Sequence, residues 1–313
     1  MRGITTGTVL LERYRLESPL GRGLMGRVWR GRDLRLERPV AVKTVAADLL
    51  AVPASREEAL QRFRREARAA ARLDHPNTTT VFDASITDGT CCLVMELIRG
   101  TTLEFLFDER DEGRFDVPTA VAVAAQLCAG LSAAHAAGLV HRDLKTQNVM
   151  VRRDGMVKIL DFGLVKVLAD TDPRLTMTGE SIGNILCASP ELLSGGERLD
   201  GRSDLYAVGC LLHHMLTGGT LFATDRPALL VTHHLTSSPP PVADSGVRVP
   251  RELQELITAL LAKSPGDRPA SAAEVYEALV PHLPAPLPGA ATSPGFREDP
   301  RRPFLVPQGP SPV

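Results

Sequence analysis

The chain of 313 residues is 43% hydrophobic and 23% charged, with 36 Lys and Arg against 37 Asp and Glu and a formal charge of −1. A balance this close to neutral provides no electrostatic footprint for nucleic acid or an acidic membrane surface, so partners must be sought in local motifs. The length suits about two ordinary domains or one large two-lobed unit.

The five cysteines, Cys91, Cys92, Cys128, Cys187 and Cys210, are odd in number and contain no C-x-x-C spacing. This pattern disfavours a disulfide framework or a zinc centre and favours a reducing, cytoplasmic compartment. The opening residues carry no apolar core of signal-peptide length.

Residues 13–47 alternate short β-branched or aromatic runs with Gly, Asp and Pro, which predicts a small antiparallel sheet. Within it "GRGLMGRV" spaces Gly21, Gly23 and Gly26 as G-x-G-x-x-G. The dinucleotide fingerprint shares that spacing but needs a helix opening at the third glycine, whereas "RVWRGRD" continues as a strand. The glycines either shape an ordinary hairpin or free backbone N–H groups to cradle phosphate.

Lys43 ends the apolar run "VAV", and "SREE" places Glu58 three residues after Ser55, a capping box that predicts a helix from Ser55 to the "HPN" at 75–77. On that helix Ala59, Phe63, Glu66 and Ala70 share one face. Lys43 and Glu66 are thus each directed inward by local pattern; they either pair with each other or are both solvated. "TTVFDASI" and "CCLVMELI" read as two further strands.

Beyond about residue 100 long helical patterns take over at 117–139, 204–217, 251–263 and 271–282, and only "NVMVRR" and "MVKIL" read as strands. Residues 117–140 are apolar enough to span a membrane. They are rich in Ala and Gly and carry Gln126, Ser132 and His135, which points to a buried core helix and no membrane span. The expected architecture is α+β, with a sheet-rich N-terminal lobe over 1–97 and a mainly helical C-terminal lobe over 98–283. Ten of the 24 prolines lie at or beyond Pro281, so 284–313 is expected to be an extended or disordered Pro-rich tail.

"HRDLKTQN" at 141–148 follows the apolar helix and crowds cations, a carboxylate and amides into eight residues. Such groups cost several kcal/mol if buried without partners, so this is either a solvated loop or a convergent site. Asp143, Asn148 and the Asp161 of "ILDFG" offer the hard oxygens that Mg²⁺ takes alongside phosphates, although Asp161 taken singly also suits a turn.

In order along the chain, "GRGLMGRV", "VAVK", Glu66 on its helix, "HRDLKTQN", "DFG" at 161–163 and "SPE" at 189–191 resemble the protein-kinase family over about residues 13–283. The wording of "RFRREARAAARLDHP" and "SDLYAVGCLLHHMLTG" is similar to bacterial eukaryotic-like Ser/Thr kinases. The resemblance implies a two-lobed kinase fold, with an antiparallel sheet and C-helix in the N-lobe. It implies ATP and Mg²⁺ (or Mn²⁺) as cofactors and protein hydroxyls as substrates. A homodimer through the N-lobe is a further expectation.

The same resemblance assigns Leu20, Gly21, Gly23, Gly26, Val28, Ala41, Lys43, Met95, Glu96 and Ile98 to ATP, with Met95 as gatekeeper and Glu96 to Ile98 as hinge. It makes Asp143 the base and sets Lys145 beside the transferring phosphoryl. Asn148 and Asp161 hold metal, and Glu66 pairs with Lys43. Thr176 and Thr178 are activation-loop phosphosites for which Arg142 supplies a cation, Asp204 opens the central helix, and Arg268 pairs with Glu191. Two positions depart from the family's G-T-x-x-Y: Asn184 replaces the Thr and Cys187 the Tyr. An asparagine both donates and accepts, so Asn184 is expected to bridge Lys145 and Asp143 as the Thr does. Loss of the catalytic Lys or Asp residues would have marked a pseudokinase or scaffold, and small-molecule kinases on this fold commonly lack the S/A-P-E element; neither departure occurs here.

Overall fold

The computed structural model describes residues 4–23, 26–46, 56–87, 90–109, 113–162, 182–195, 199–286 and 298–305. They fall into two compact units. The first comprises the described residues of Met1–His75 and Thr79–Ile98, and the second those of Pro76–Thr78, Arg99–Phe162 and Met177–Val313.

The first unit is an antiparallel sheet and one helix. Its strands are β1 (Val9–Leu10), β2 (Tyr14–Gly23), β3 (Gly26–Asp33), β4 (Arg38–Ala46), β5 (Val81–Thr87) and β6 (Thr90–Glu96), in the order β1-β2-β3-β4-β6-β5. Alternation along each strand divides the sheet into two chemically distinct faces. Tyr14, Leu16, Trp29, Val40, Val42, Cys92 and Val94 form a buried cluster, joined by Leu10 and Phe82. The register sets Gly21 opposite Val28, Val28 opposite Lys43, Lys43 opposite Leu93, and Ala41 opposite Met95. Directly paired residues share a face, so Gly21, Val28, Ala41, Lys43 and Met95 lie together on the face away from the Trp29 cluster. Gly26 is dictated by packing: a Cβ there would fall 2.1 Å from the Thr44 carbonyl oxygen.

Helix α1 (Arg56–Ala71) packs on β5 and buries Phe63, Ala67 and Ala70, with Glu66 half-buried beside them. Its expected cap, Ser55, lies outside the described residues.

The second unit is mainly helical. Strand β7 (Gly100–Thr102) leads into α2 (Leu103–Asp108), and α3 (Val117–Ala136) follows. The short strands β8 (Val149–Arg152) and β9 (Val157–Ile159) complete a three-stranded sheet in the order β7-β8-β9. Then come α4 (Ile182–Ile185), α5 (Pro190–Leu193), α6 (Gly201–Thr217), α7 (Pro227–Thr236), α8 (Arg251–Leu260) and α9 (Ala272–Leu279).

Helix α3 is apolar on every side because every side is covered; it contacts α6, α9 and β9, and most of its residues are buried. Asp116 caps it by accepting from Thr119 N at 2.8 Å. Helix α6 starts three residues before the expected Asp204, with Asp200 accepting from Arg202 N at 2.8 Å, and it stops at the left-handed Gly218. Strand β7 and helices α2 and α7 went unread in the sequence because each is short and weakly periodic.

The region 284–313 departs from the expectation of a wholly extended tail. Residues 298–305 dock on the turn between β8 and β9 and end in a one-turn helix, α10 (Arg302–Leu305). Glu298 N donates to Arg153 O at 3.1 Å, and Gly155, at φ +81°, brings its Cα so close to the Asp299 carbonyl that a Cβ would lie 2.1 Å from it. The buried amide of Gln126 ties this strap to the core. Its Oε1 accepts from Asn77 Nδ2 at 3.0 Å and Val157 N at 2.9 Å, and its Nε2 donates to Gly155 O at 3.2 Å and Pro300 O at 2.9 Å. Proline-rich composition does not prevent docking where the partner needs carbonyl acceptors, since Pro retains its C=O.

Gln126→Leu keeps the side-chain volume and removes all four hydrogen bonds. An unsatisfied buried polar group costs about 1–3 kcal/mol, so the variant should lose at least ~2 kcal/mol in urea denaturation. Hydrogen exchange should rise first at 153–159 and 298–305. Unchanged exchange there would show that Gln126 is not the tie.

Candidate active site

Every charged residue singled out in 141–148 lies on one loop of the second unit, and that loop is organised from beneath by Asp204. The Asp204 carboxylate is 1% exposed. It accepts from His135 Nε2 at 2.8 Å, from His141 N at 2.8 Å and from Arg142 N at 2.9 Å. Two consecutive backbone amides on one carboxylate hold Arg142 at φ +62°, a left-handed conformation that costs a residue other than glycine about 1–3 kcal/mol. The turn it forces presents the next side chain, Asp143.

His141 is fully buried and acts as a second brace. Its Nδ1 accepts from the Asp143 amide at 3.2 Å, so Nε2 carries the proton and donates to Leu160 O at 2.6 Å. The ring also packs edge-on against Phe162, centroids 5.2 Å apart. This brace joins the loop to the residues leaving β9, among them Asp161 at φ +49°. A second tie is backbone to backbone, Leu160 N to Asn148 O at 2.9 Å.

Around Asp143 the polar groups converge. Asn148 Nδ2 donates to Asp143 O at 2.7 Å and Oδ2 at 3.2 Å, and Lys145 Nζ lies 3.4 Å from Asp143 Oδ2. Lys145 Nζ also donates to Asn184 Oδ1 at 2.6 Å, which is the oxygen half of the expected bridge. Asp143, Lys145, Asn184 and Cys187 line one cleft. With its nitrogen committed to Asp143, the Asn148 amide offers its oxygen to a cation. Among the described residues no group of three or more His, Cys, Asp and Glu could hold a metal ion. The Asn148 amide oxygen and the Asp161 carboxylate are hard oxygen donors, the type that suits Mg²⁺ when phosphates and water complete its shell.

The segment after the loop is anchored by Glu191 and Arg268. Arg268 Nη1 and Nη2 each donate to the Glu191 carboxylate at 2.8 Å, Ser203 Oγ donates at 2.6 Å, and Arg268 further bonds the carbonyls of Ala262, Arg202 and Lys263. Burial pushes the Glu191 carboxyl up, but the Arg268 and Ser203 hydrogen bonds outweigh it and hold the group down at about 2.

In the first unit Val28, Ala41, Lys43 and Met95 share the sheet face described above, while Leu20 is half exposed at the end of that sheet. Glu96 continues β6 and donates its N–H to Thr80 O at 2.9 Å, with Ile98 two residues on. Thr176, Thr178 and Gly163 lie outside the described residues. Two functional supports escaped the sequence reading. His135 seemed merely a polar interruption of an apolar helix, and Gln126 likewise; only the fold shows that each faces a buried partner.

These features belong together in known proteins. A protein kinase domain profile matches residues 14–279, and the chain belongs to the protein kinase family. Among curated proteins it is 40% identical over 288 residues to the serine/threonine-protein kinase pkn3 of Myxococcus xanthus, covering 87% of this chain and 50% of that one. It is 38% identical over 281 residues to the serine/threonine-protein kinase PknB of Mycolicibacterium smegmatis, covering 88% and 44%. The chain thus spans about half the length of these curated relatives. The crystal structure of the Mycobacterium tuberculosis PknI kinase domain superposes with a TM-score of 0.69 at 24% identity, over 90% of this chain and 100% of that one, which establishes the two-lobed kinase fold.

The Glu191–Arg268 pair has a pH signature. A carboxyl held near 2 when folded and near 4.5 when free stabilises fully above about pH 4.5, and that contribution is lost as pH falls toward 2. Glu191→Gln should lower stability at neutral pH by about 3–5 kcal/mol, because it strands a buried guanidinium. It should also flatten the acid limb of a stability–pH curve measured by denaturant titration. An acid limb as steep as that of the parent would overturn the assignment.

Proposed function

We propose that this chain is an ATP-dependent Ser/Thr protein kinase that autophosphorylates on its activation loop. The observation that carries this reading is the arrangement of Asp143, Lys145, Asn148 and Asn184 around one cleft, held in place by Asp204 and His141. Family membership and relatives named as Ser/Thr kinases support it.

The chemistry asked of these residues is positioning and charge compensation. Asp143 accepts a hydrogen bond from the substrate hydroxyl and takes its proton as the oxygen attacks the γ-phosphorus of ATP, the bond from that phosphorus to the bridging oxygen breaks, and ADP leaves. Lys145, within reach of Asp143 and fixed at its other side by Asn184, sets a positive charge beside the phosphoryl oxygens in flight. Asn148 and Asp161 hold Mg²⁺ or Mn²⁺. When bound, the ion supplies neutralisation of the phosphate charge.

In the first unit, Val28, Ala41 and Met95 supply an apolar plate for adenine, and the backbone of Glu96 to Ile98 its hydrogen-bonding edge. Lys43, paired with Glu66, meets the phosphates, and the Gly21, Gly23 and Gly26 backbone covers them. Leu20 caps the plate. Thr176 and Thr178 are the activating phosphosites, with Arg142 as their cation. Five free thiols and a buried α3 support a cytoplasmic location. The exposed Leu34 and Leu36 of the first unit support a homodimer through it. A pseudokinase reading has no observation in its favour, because Lys43, Asp143 and Asp161 are all retained.

Asp143→Asn should lose about 10²–10⁴-fold in transfer to a Ser/Thr peptide while still binding nucleotide by calorimetry. Parental turnover in that variant would sink the assignment. Asn184→Thr should stay within about threefold of the parent kcat at saturating ATP, since the Lys145 contact is already made. A rise of about tenfold, some 1.4 kcal/mol of barrier, would show that the natural amide impairs the site.

A further inference from the structure

Cys187 stands in the substrate loop where the family carries a tyrosine, and a second thiol lies against it. Cys187 and Cys210, the latter on α6, stand on the wall of one cleft, close enough for the two thiols to influence each other. Both line a second cleft shared with Lys145, Gly183, Leu186 and His214. Cys187 is half-buried and also forms part of the wall around Asp143, so reagents entering the catalytic cleft reach it. Cys210 is only 2% exposed.

We propose that Cys187 and Cys210 form a reversible disulfide, making this loop a redox modification site whose oxidant is a hydroperoxide. Hydrogen peroxide is the simplest member of that class. The Cys187 thiolate attacks one peroxide oxygen, the O–O bond breaks, and the departing hydroxide takes up the thiol proton to leave as water. Cys187 is then a sulfenic acid. The Cys210 sulfur attacks the Cys187 sulfur, the S–S bond forms, the S–O bond breaks, and the hydroxide leaves as a second water with the Cys210 proton. Two thiols have lost two electrons and one peroxide has gained them. A dithiol reverses the step by exchange.

The order of events follows from the surroundings of each thiol. Burial pushes the Cys210 thiol well above its ordinary value, so it is inert toward bulk oxidant. It reacts only with the sulfur held against it. Cys91, Cys92 and Cys128 are also buried, and burial pushes the Cys92 and Cys128 thiols up to about 12. Selectivity for Cys187 as the entry point is therefore built into the fold.

The consequence for transfer rests on the kinase reading above; the disulfide itself does not. Forming the bond shortens the thiol contact to about 2.05 Å and draws Cys187 toward α6. Asn184, three residues earlier, then carries its contact with Lys145 out of place. A misplacement of about 1 Å in a catalytic group can cost about 10²-fold.

The test uses the whole chain, reduced, exposed to dilute hydrogen peroxide, alkylated and mapped as non-reduced peptides. The expected result is a Cys187–Cys210 cross-linked peptide that dithiothreitol removes, with Cys91, Cys92 and Cys128 alkylated as free thiols. Peptide phosphorylation should fall at least about tenfold with the same time course and return on reduction. Cys210→Val should keep basal transfer and lose both the cross-link and the reversible inhibition. Oxidation of Cys187 to sulfinic acid with no cross-linked peptide would overturn the proposal. So would a cross-linked protein that phosphorylates its peptide at the reduced rate. If the reduced chain shows no transfer at all, the peptide map still decides the disulfide, and the failure belongs to the kinase reading.

Discussion

The Asp204 carboxylate is the constraint on which the site depends. It is buried on the first turn of α6, and a buried carboxylate is tolerable only when its oxygens are occupied. Here the occupants are the His135 ring and the amides of His141 and Arg142. The requirement works in both directions. Satisfying the carboxylate requires two neighbouring N–H groups to point the same way, and that fixes the strained turn at Arg142 from which Asp143 projects. The geometry of the 141–148 loop is thus set by a residue 62 positions beyond Arg142. His135, from the last turn of α3, makes the same contact depend on the packing of two core helices.

The same solution recurs wherever the second unit must hold an irregular segment still. Gln126 uses both ends of its amide to bind the loop before β5, the start of β9 and the C-terminal strap. Arg268 divides its donors between the Glu191 carboxylate and three carbonyls at the ends of other elements. Each hub is one buried polar side chain that spends several hydrogen bonds on the backbone of other segments. Fully satisfied polar networks of this kind stiffen the loops they hold. Such stiffness suits the proposed transfer, in which positioning dominates.

Much of this was legible in the residues, and the boundary of legibility has a physical cause. The sheet of the first unit could be read because short β-branched and aromatic runs are separated there by Gly, Asp and Pro, and because Gly21, Gly23 and Gly26 stand at a recognisable spacing. The long helices α3, α6 and α8 could be read from their apolar patterns, and Asp143, Lys145, Asn148 and Asp161 from polar density in a loop. What could not be read is everything that depends on long-range partners. Nothing near Gln126 announces Pro300, 174 residues away. His135 and Asp204 each look unremarkable alone. The strap at 298–305 was hidden by its prolines, since composition reports the absence of regular structure and is silent about docking. Short elements such as β7 and α2 present too few residues for any period to show.

The two departures from the family pattern, Asn184 and Cys187, fall in one loop and are best understood together. An ammonium held beside a carboxylate needs an oxygen acceptor on its other side, and here the amide oxygen of Asn184 supplies it at 2.6 Å. The exchange at Asn184 therefore keeps an oxygen acceptor on Lys145. The exchange at Cys187 is of a different kind, because a thiol is much smaller than a phenol and cannot fill the same volume. The loop instead sets its thiol on the same cleft wall as that of Cys210, bringing two soft, oxidisable groups into one place. A phenol in that place would supply bulk and a hydroxyl and would be chemically quiet. The thiol pair supplies less packing but, through the disulfide proposed above, connects the loop that holds Lys145 to the redox state of its surroundings.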